Sequence, residues 1–223
     1  MSSPAIGRVD RRKARTRAAL IAAGQRILAD RGTTEVAVQD ITDEAGVGLG
    51  SFYNHFTTKS ELFEAAVLDL LDAFAAGIDA ARADVQDPAE LVAIGIRSTC
   101  RLAATRPAVA RVLVLTGPEF LVADRGLAPL ASRDLQQGLA SGRFTLARPA
   151  LALAVVGGSV LAFLQMRLTA DGSGSVTDAD ADLLAATLLT TLGLPAAEAA
   201  EIAHRPLPVL DPPPGPTPQG EPS

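Results

Sequence analysis

VQDITDEAGVGLGSFYNHFTTK, residues 38–59, decides the fold of this chain. Val38, Ile41 and Ala45 recur at helical spacing, so 38–44 reads as a short amphipathic helix. Ala45-Gly46-Val47-Gly48 interrupts it. Gly46 suits a left-handed turn, and Gly48 suits an N-cap. Leu49, Phe52 and Phe56 then fall at i, i+3 and i+7, which predicts a second helix over 49–56. Two short helices joined by a Gly-containing turn form a helix-turn-helix, whose second helix can enter a DNA major groove. The same spacing also fits an ordinary αα-hairpin in a helical core. Tyr53, His55 and Lys59 favour the first reading, because donors clustered at the end of a very short helix suit phosphate contacts and ill suit a core.

AGVGLGSFYNHFTTKSEL at 45–62 resembles the signature of the tetracycline-repressor (TetR) family of bacterial transcription regulators. The Ala-Gly-Val turn, the Gly-x-x-Tyr-x-His-Phe helix and the following Lys-x-x-Leu occur in order. The likeness extends back through a helix at 12–30 and the Gly32 that ends it. Three positions depart from the family pattern: Ala37 stands where Ser or Thr is usual, Thr42 where Ala is, and Gly48 where Ser is. Losing the hydroxyl at Ala37 costs about 1 kcal/mol of helix stability and puts one phosphate contact in doubt.

The resemblance implies roles for particular residues. The first helix packs across the motif and sends the basic residues near its start, Arg12, Arg15 and Arg17, toward the DNA backbone. Tyr53, His55 and Lys59 bind phosphates and fix register. Gln39, Gly48, Leu49, Gly50 and Ser51 face the bases, and Asn54 reaches a base or a phosphate. Leu49 and Gly50 offer little hydrogen bonding, so base readout leans on Gln39, Ser51 and apolar contact with thymine methyls. The partners implied are a double-stranded DNA operator, a second copy of the chain and a small-molecule effector.

Charge supports an anionic partner at the head. Residues 1–31 hold eight Lys/Arg against two Asp, a net +6. The remainder holds 12 basic and 23 acidic residues, a net −11, and the two add to the −5 of the whole chain. A basic head on an acidic body points to nucleic acid there. At 223 residues the chain is long enough for one or two domains with a sizeable core. Abundant Ala and Leu with no Trp and one Tyr favour helices. The single cysteine, Cys100, allows no internal disulfide and fits a reducing cytoplasm. The basic N-terminus has no apolar run behind it, so no signal peptide is expected.

The remaining chain reads as all-α, with nine or ten helices in total. Residues 1–10 are expected to be a disordered basic segment. The DNA-binding domain spans 11–58 (motif 38–57), with its first helix over 11–30. Thr57-Thr58 caps a long helix over about 59–83, and an effector-binding and dimerisation domain covers 59–204. Asp87-Pro88 starts a helix that runs to Arg106-Pro107. Helices over 107–115, 119–141 (interrupted near 126–129), 149–170, 178–192 and 195–204 follow. The loop 171–175 and the Pro-rich tail 205–223 are expected to lack regular structure.

The helix at 149–170 is apolar nearly all round and reads as a buried helix rather than a membrane span. With the helix at 178–192 it is expected to build a homodimer through Leu153, Gly157, Leu161, Leu184 and Leu188. An effector pocket is expected among Phe74, Ile78, Ile94, Leu102, Val112, Phe120 and Phe163, with Arg97, Cys100 and Gln165 as polar contacts. Apolar walls with few polar groups suit a lipophilic molecule. No metal set, phosphate loop or catalytic triad appears, so neither a cofactor nor an enzyme activity is expected. The alternative is a helical protein-interaction module of this fold with weakened DNA binding.

Overall fold

The computed structural model describes residues 7–145, 148–169 and 176–210. Among these it has twelve helices and no strand. They fall into two compact units, divided inside one helix between Val67 and Leu68.

The first unit comprises α1 (Arg8–Arg31), α2 (Val38–Ala45), α3 (Leu49–Tyr53) and the start of α4 (Lys59–Ala81). Helix α1 begins three residues before the expected start, inside the segment 1–10 expected to be disordered, and residues 1–6 lie outside the described part. Leu20, Ile21, Ile27 and Leu28 of α1 are buried with Ile41 of α2, Phe52 and Phe56 at α3, and Leu62, Phe63 and Ala66 of α4. Gly24 permits the close approach of α1 to α4: a Cβ there would stand 3.3 Å from that of Ala66. These contacts place the first two turns of α4 in the DNA-binding unit, although the sequence set the boundary at its start.

Gly46 ends α2 in the left-handed region, φ 65° and ψ 36°, which turns the chain into α3. Ala37 offers no acceptor at the start of α2. Only half of a capping box survives, the Asp40 carboxylate accepting from the Ala37 N–H at 3.1 Å. Helix α3 stops at Tyr53, three residues short of the expected end, and Asn54 closes it. Thr58 caps α4, its hydroxyl accepting from the Glu61 N–H at 3.2 Å.

The second unit is built around α5 (Pro88–Cys100), of which eleven residues are buried. Asp87 caps it, accepting from the Ala89 N–H at 3.0 Å, with Pro88 in the first turn. Around α5 pack α9 (Leu127–Ala140), α10 (Pro149–Thr169), α11 (Asp178–Thr191) and α12 (Ala196–Ala203). Helices α6 (Leu102–Thr105), α7 (Pro107–Leu115) and α8 (Gly117–Leu121) complete the unit.

The count exceeds nine or ten because two expected helices are divided. The one from Pro88 breaks at Arg101, whose guanidinium donates to the Arg97 carbonyl at 3.1 Å and competes with the ladder bond to the same oxygen. The one at 119–141 divides at Gly126, whose φ of 75° no helix allows. The break expected at Gly117-Pro118 is instead the first turn of α8, where a proline needs no N–H partner. Residues 205–210 have no helix or strand, as expected. The rest of the tail, 211–223, and the expected loop at 171–175 lie outside the described residues.

Candidate nucleic-acid interface and ligand cavity

In the first unit, the residues expected to read DNA are displayed rather than packed. Gln39, Gly48, Leu49, Gly50, Tyr53 and Asn54 are exposed, and Ser51 is half-buried. Leu49 and Tyr53 are 45% and 61% exposed. The same short helix buries Phe52 completely. Phe52 meets Tyr53 edge-on with ring centroids 5.2 Å apart. One residue therefore anchors the helix while its neighbour points outward.

Arg12, Arg15 and Arg17 are exposed on α1. The Arg17 guanidinium sits 5.2 Å from the Phe56 ring centroid, a cation–π contact that fixes the start of α1 beside the end of the motif. Lys13, which the sequence counted only as part of the basic run, belongs to the same cluster. Burial first, then the charges of Lys13 and Arg17, hold the His55 imidazole below its usual pKa. The free protein therefore favours the uncharged imidazole, which has one N–H donor and one acceptor.

Two expected contacts are engaged within the unit. Lys59 Nζ lies 3.1 Å from the Glu35 carboxylate, whose side chain is 82% exposed. The Gln39 amide donates to Asp43 at 2.7 Å, which leaves its carbonyl oxygen available.

The second unit contains a cavity of about 100 Å³. Leu71 of α4, Val92, Gly95, Ile96 and Thr99 of α5, Phe120 and Leu121 of α8, Leu127, Leu130, Asp134 and Leu135 of α9, and Val156 and Val160 of α10 all line it. Among the ten residues expected around an effector, Phe120 is on this wall. Ile94 and Arg97 lie on the side of α5 away from Val92, Gly95, Ile96 and Thr99, and Cys100 flanks that face without lining the cavity. Arg97 instead joins α5 to α11, its Nε donating to Asp182 at 2.7 Å. Ile78, Leu102, Val112 and Phe163 are ordinary buried core, Phe74 is half-buried, and Gln165 is exposed.

Three residues expected at a dimer interface, Leu153, Gly157 and Leu161, line the cavity, and Leu188 is buried within the unit. Gly157 lets α8 approach closely: a Cβ there would come within 2.2 Å of a Leu121 methyl. Leu184 is half-buried. The outward face of α10 runs through Leu151, Ala154, Gly158, Ala162 and Met166, nearly opposite Leu153, Gly157 and Val160. Leu151 and Met166 are 51% and 58% exposed, and nothing approaches a Cβ placed on Gly158. The sequence read α10 as buried, but only 28% of its most apolar window is covered. By length and composition alone this helix is also long enough to cross a membrane.

Asp134 is the residue that the sequence reading missed. It sits on the apolar face of α9, seven residues after Leu127 and four after Leu130, and that misplaced carboxylate was the available signal. Arg82 Nη2 lies 2.6 Å from Asp134 Oδ2, with both side chains buried. This is an ion pair out of line for a hydrogen bond, and among the described residues Arg82 Nε has no hydrogen-bond partner either. Arg82 Nη1 donates to the Leu91 carbonyl at 2.7 Å. Burial pushes the Asp134 carboxyl up, against the opposing pull of Arg82 and Arg133.

Residues 20–66 match the family described as bacterial regulatory proteins, tetR family, and residues 87–205 match the tetracyclin repressor-like C-terminal domain. The chain belongs to the tetR family. RolR in complex with resorcinol is 33% identical, covering 90% of this chain and 99% of that one, with a TM-score of 0.71. RolR without ligand gives 31% identity and a TM-score of 0.69. The transcriptional repressor KstR2 of Mycolicibacterium smegmatis is 44% identical over 46 residues, which spans 21% of this chain and 22% of that repressor. FadR from Bacillus subtilis in complex with stearoyl-CoA, 18% identical with a TM-score of 0.57 over 78% of this chain and 97% of that one, shares the fold. A DNA-binding TetR regulator accounts for the exposed motif and its cationic flank.

Proposed function

We propose that this chain is a homodimeric transcriptional repressor that binds a palindromic operator and leaves it when a small, largely apolar molecule enters the cavity of the second unit. One observation carries this reading: a chain that begins with an exposed cationic helix-turn-helix also contains an apolar cavity wholly within its other unit. RolR, similar along nearly its whole length, has been crystallised with resorcinol, which supports a small effector here.

Each subunit supplies one head, and a two-fold dimer reads two half-sites spaced by whole helical turns. Tyr53, His55, Lys59 and the Arg12–Arg17 cations bind phosphates, while Gln39, Leu49 and Ser51 meet base edges. The outward apolar face of α10, with Leu183 of α11, is the surface that a second copy covers. The effector acts only by binding one state of the dimer better than the other. Helix α4 contributes Leu62 and Ala66 to the first core and Leu71 to the cavity wall, so it is the element through which the two events are linked. The protein works in the cytoplasm, where its operator lies.

Selection of bound duplexes from random DNA tests the reading. An enriched palindrome bound by a dimer supports it. A folded dimer that enriches nothing overturns it in favour of an interaction module.

A further inference from the structure

The chemistry of the cavity wall narrows its ligand further than size alone. Resting on the reading of this cavity as the effector site, we propose that it takes one small uncharged ring bearing a hydroxyl, whose O–H donates to Asp134, and that it rejects anionic and acceptor-only relatives.

Size comes first. A cavity of about 100 Å³ is of the order of the engineered lysozyme cavity of roughly 150 Å³ that binds benzene. One ring fits such a space, whereas a coenzyme A thioester does not.

Polarity comes next. Two polar side chains, Thr99 and Asp134, line the wall, and all the others are aliphatic, aromatic or glycine. Both present acceptors. The Thr99 hydroxyl spends its proton on the Gly95 carbonyl at 2.7 Å, which leaves its oxygen lone pairs. The Asp134 carboxylate has Arg82 at 2.6 Å on one oxygen and Arg133 nitrogens at 3.2 and 3.3 Å on the other. A carboxylate offers about four lone-pair sites, so capacity remains for a ligand donor. The nearby cations are not on the wall: Arg133 is also bidentate to Asp79, at 2.9 and 2.5 Å, and Arg82 sits behind Asp134 with its Nη1 donating to Leu91.

A wall with acceptors and no side-chain donor selects a ligand that brings its own hydrogen. A ligand carboxylate would instead face Asp134 in a low-dielectric space, where like charges repel strongly. An ether or ketone would bury an acceptor with no donor to meet it.

The test uses the full-length protein and five ring probes of similar size: phenol, resorcinol, anisole, toluene and benzoate. Calorimetry reads their affinities for wild type, for Thr99→Val, and for Arg82→Met/Asp134→Leu, which removes the buried pair as a unit and avoids stranding one charge. The expected result is that phenol and resorcinol bind about 10- to 100-fold more tightly than anisole or toluene, with no binding of benzoate. The double variant should lose that preference and bind toluene at least as well as phenol. Thr99→Val, the smaller change, should lose part of it.

Equal affinities for phenol, anisole and toluene would overturn the donor requirement yet leave the cavity as an effector site. Tighter binding of benzoate would overturn the charge argument. If none of the probes binds, the ring inference falls with the effector role of the cavity, while the duplex selection separately judges the DNA-binding reading.

Discussion

Glu35→Gln should tighten DNA binding. Lys59, a phosphate contact in the proposed complex, rests 3.1 Å from the Glu35 carboxylate in the free protein. To reach a phosphate it must leave that partner, and an exposed pair of this kind holds about 0.2–1 kcal/mol. Glu35 also stays near the DNA as a negative charge. At about 7 Å in water, its repulsion of one phosphate is about 0.6 kcal/mol. Together the two effects come to about 1 kcal/mol, or roughly fivefold in affinity. Fluorescence anisotropy of a labelled operator across a salt series measures this directly. The variant should bind about fivefold more tightly at low salt. Its log–log salt dependence should steepen by up to about 0.9, the value of one additional phosphate contact. In a Lys59→Ala background the same change should give only the repulsion part. Unchanged affinity in the single variant, or an equal gain in both backgrounds, would refute the idea that Lys59 is held back by Glu35.

Four further outcomes are expected. Ala37→Ser supplies the missing acceptor at an N-cap that already has extended φ/ψ of −73° and 152°. It should stabilise α2 by about 1 kcal/mol, seen as slower amide exchange there, and unaltered exchange would count against it. Met166→Glu on the outward face of α10 should lower the dimer fraction in light scattering with helicity retained; an intact dimer would place the interface elsewhere. Cys100 is fully buried, and burial pushes its thiol up to about 12. It should resist a thiol reagent in the folded protein and react on unfolding, and rapid native labelling would contradict that. Asp87 is held below the ordinary aspartate value of 3.8, chiefly by hydrogen bonds from Arg143 and against the cost of burial. A carboxyl depressed in the folded state contributes stability at neutral pH that is lost as pH falls through 3.8 toward its folded value. Asp87→Asn should therefore flatten the acid limb of the stability curve, and an identical limb would exclude this pair as its source.

The DNA-binding unit follows from one local stretch of residues. Gly46 must turn left-handed, Phe52 and Phe56 must go inward, and the cations of residues 11–17 must lie outside. Each follows from local geometry and charge within one short stretch, so the motif and its exposed residues were legible. Tertiary structure alone decided the second unit. Helix α10 is apolar on every side, so no periodicity distinguishes the face toward the cavity (Leu153, Gly157, Leu161) from the face toward solvent (Leu151, Ala162, Met166). On α5, where nearly every residue is buried, pocket and core are equally apolar, and Arg97 was read as a ligand contact when Asp182, 85 positions away, is its partner. The division of the helix at 119–141 and the placing of Asp134 against Arg82 depend on contacts between residues far apart in the chain. Local spacing fixes what a helix presents, whereas only long-range packing fixes what that surface meets.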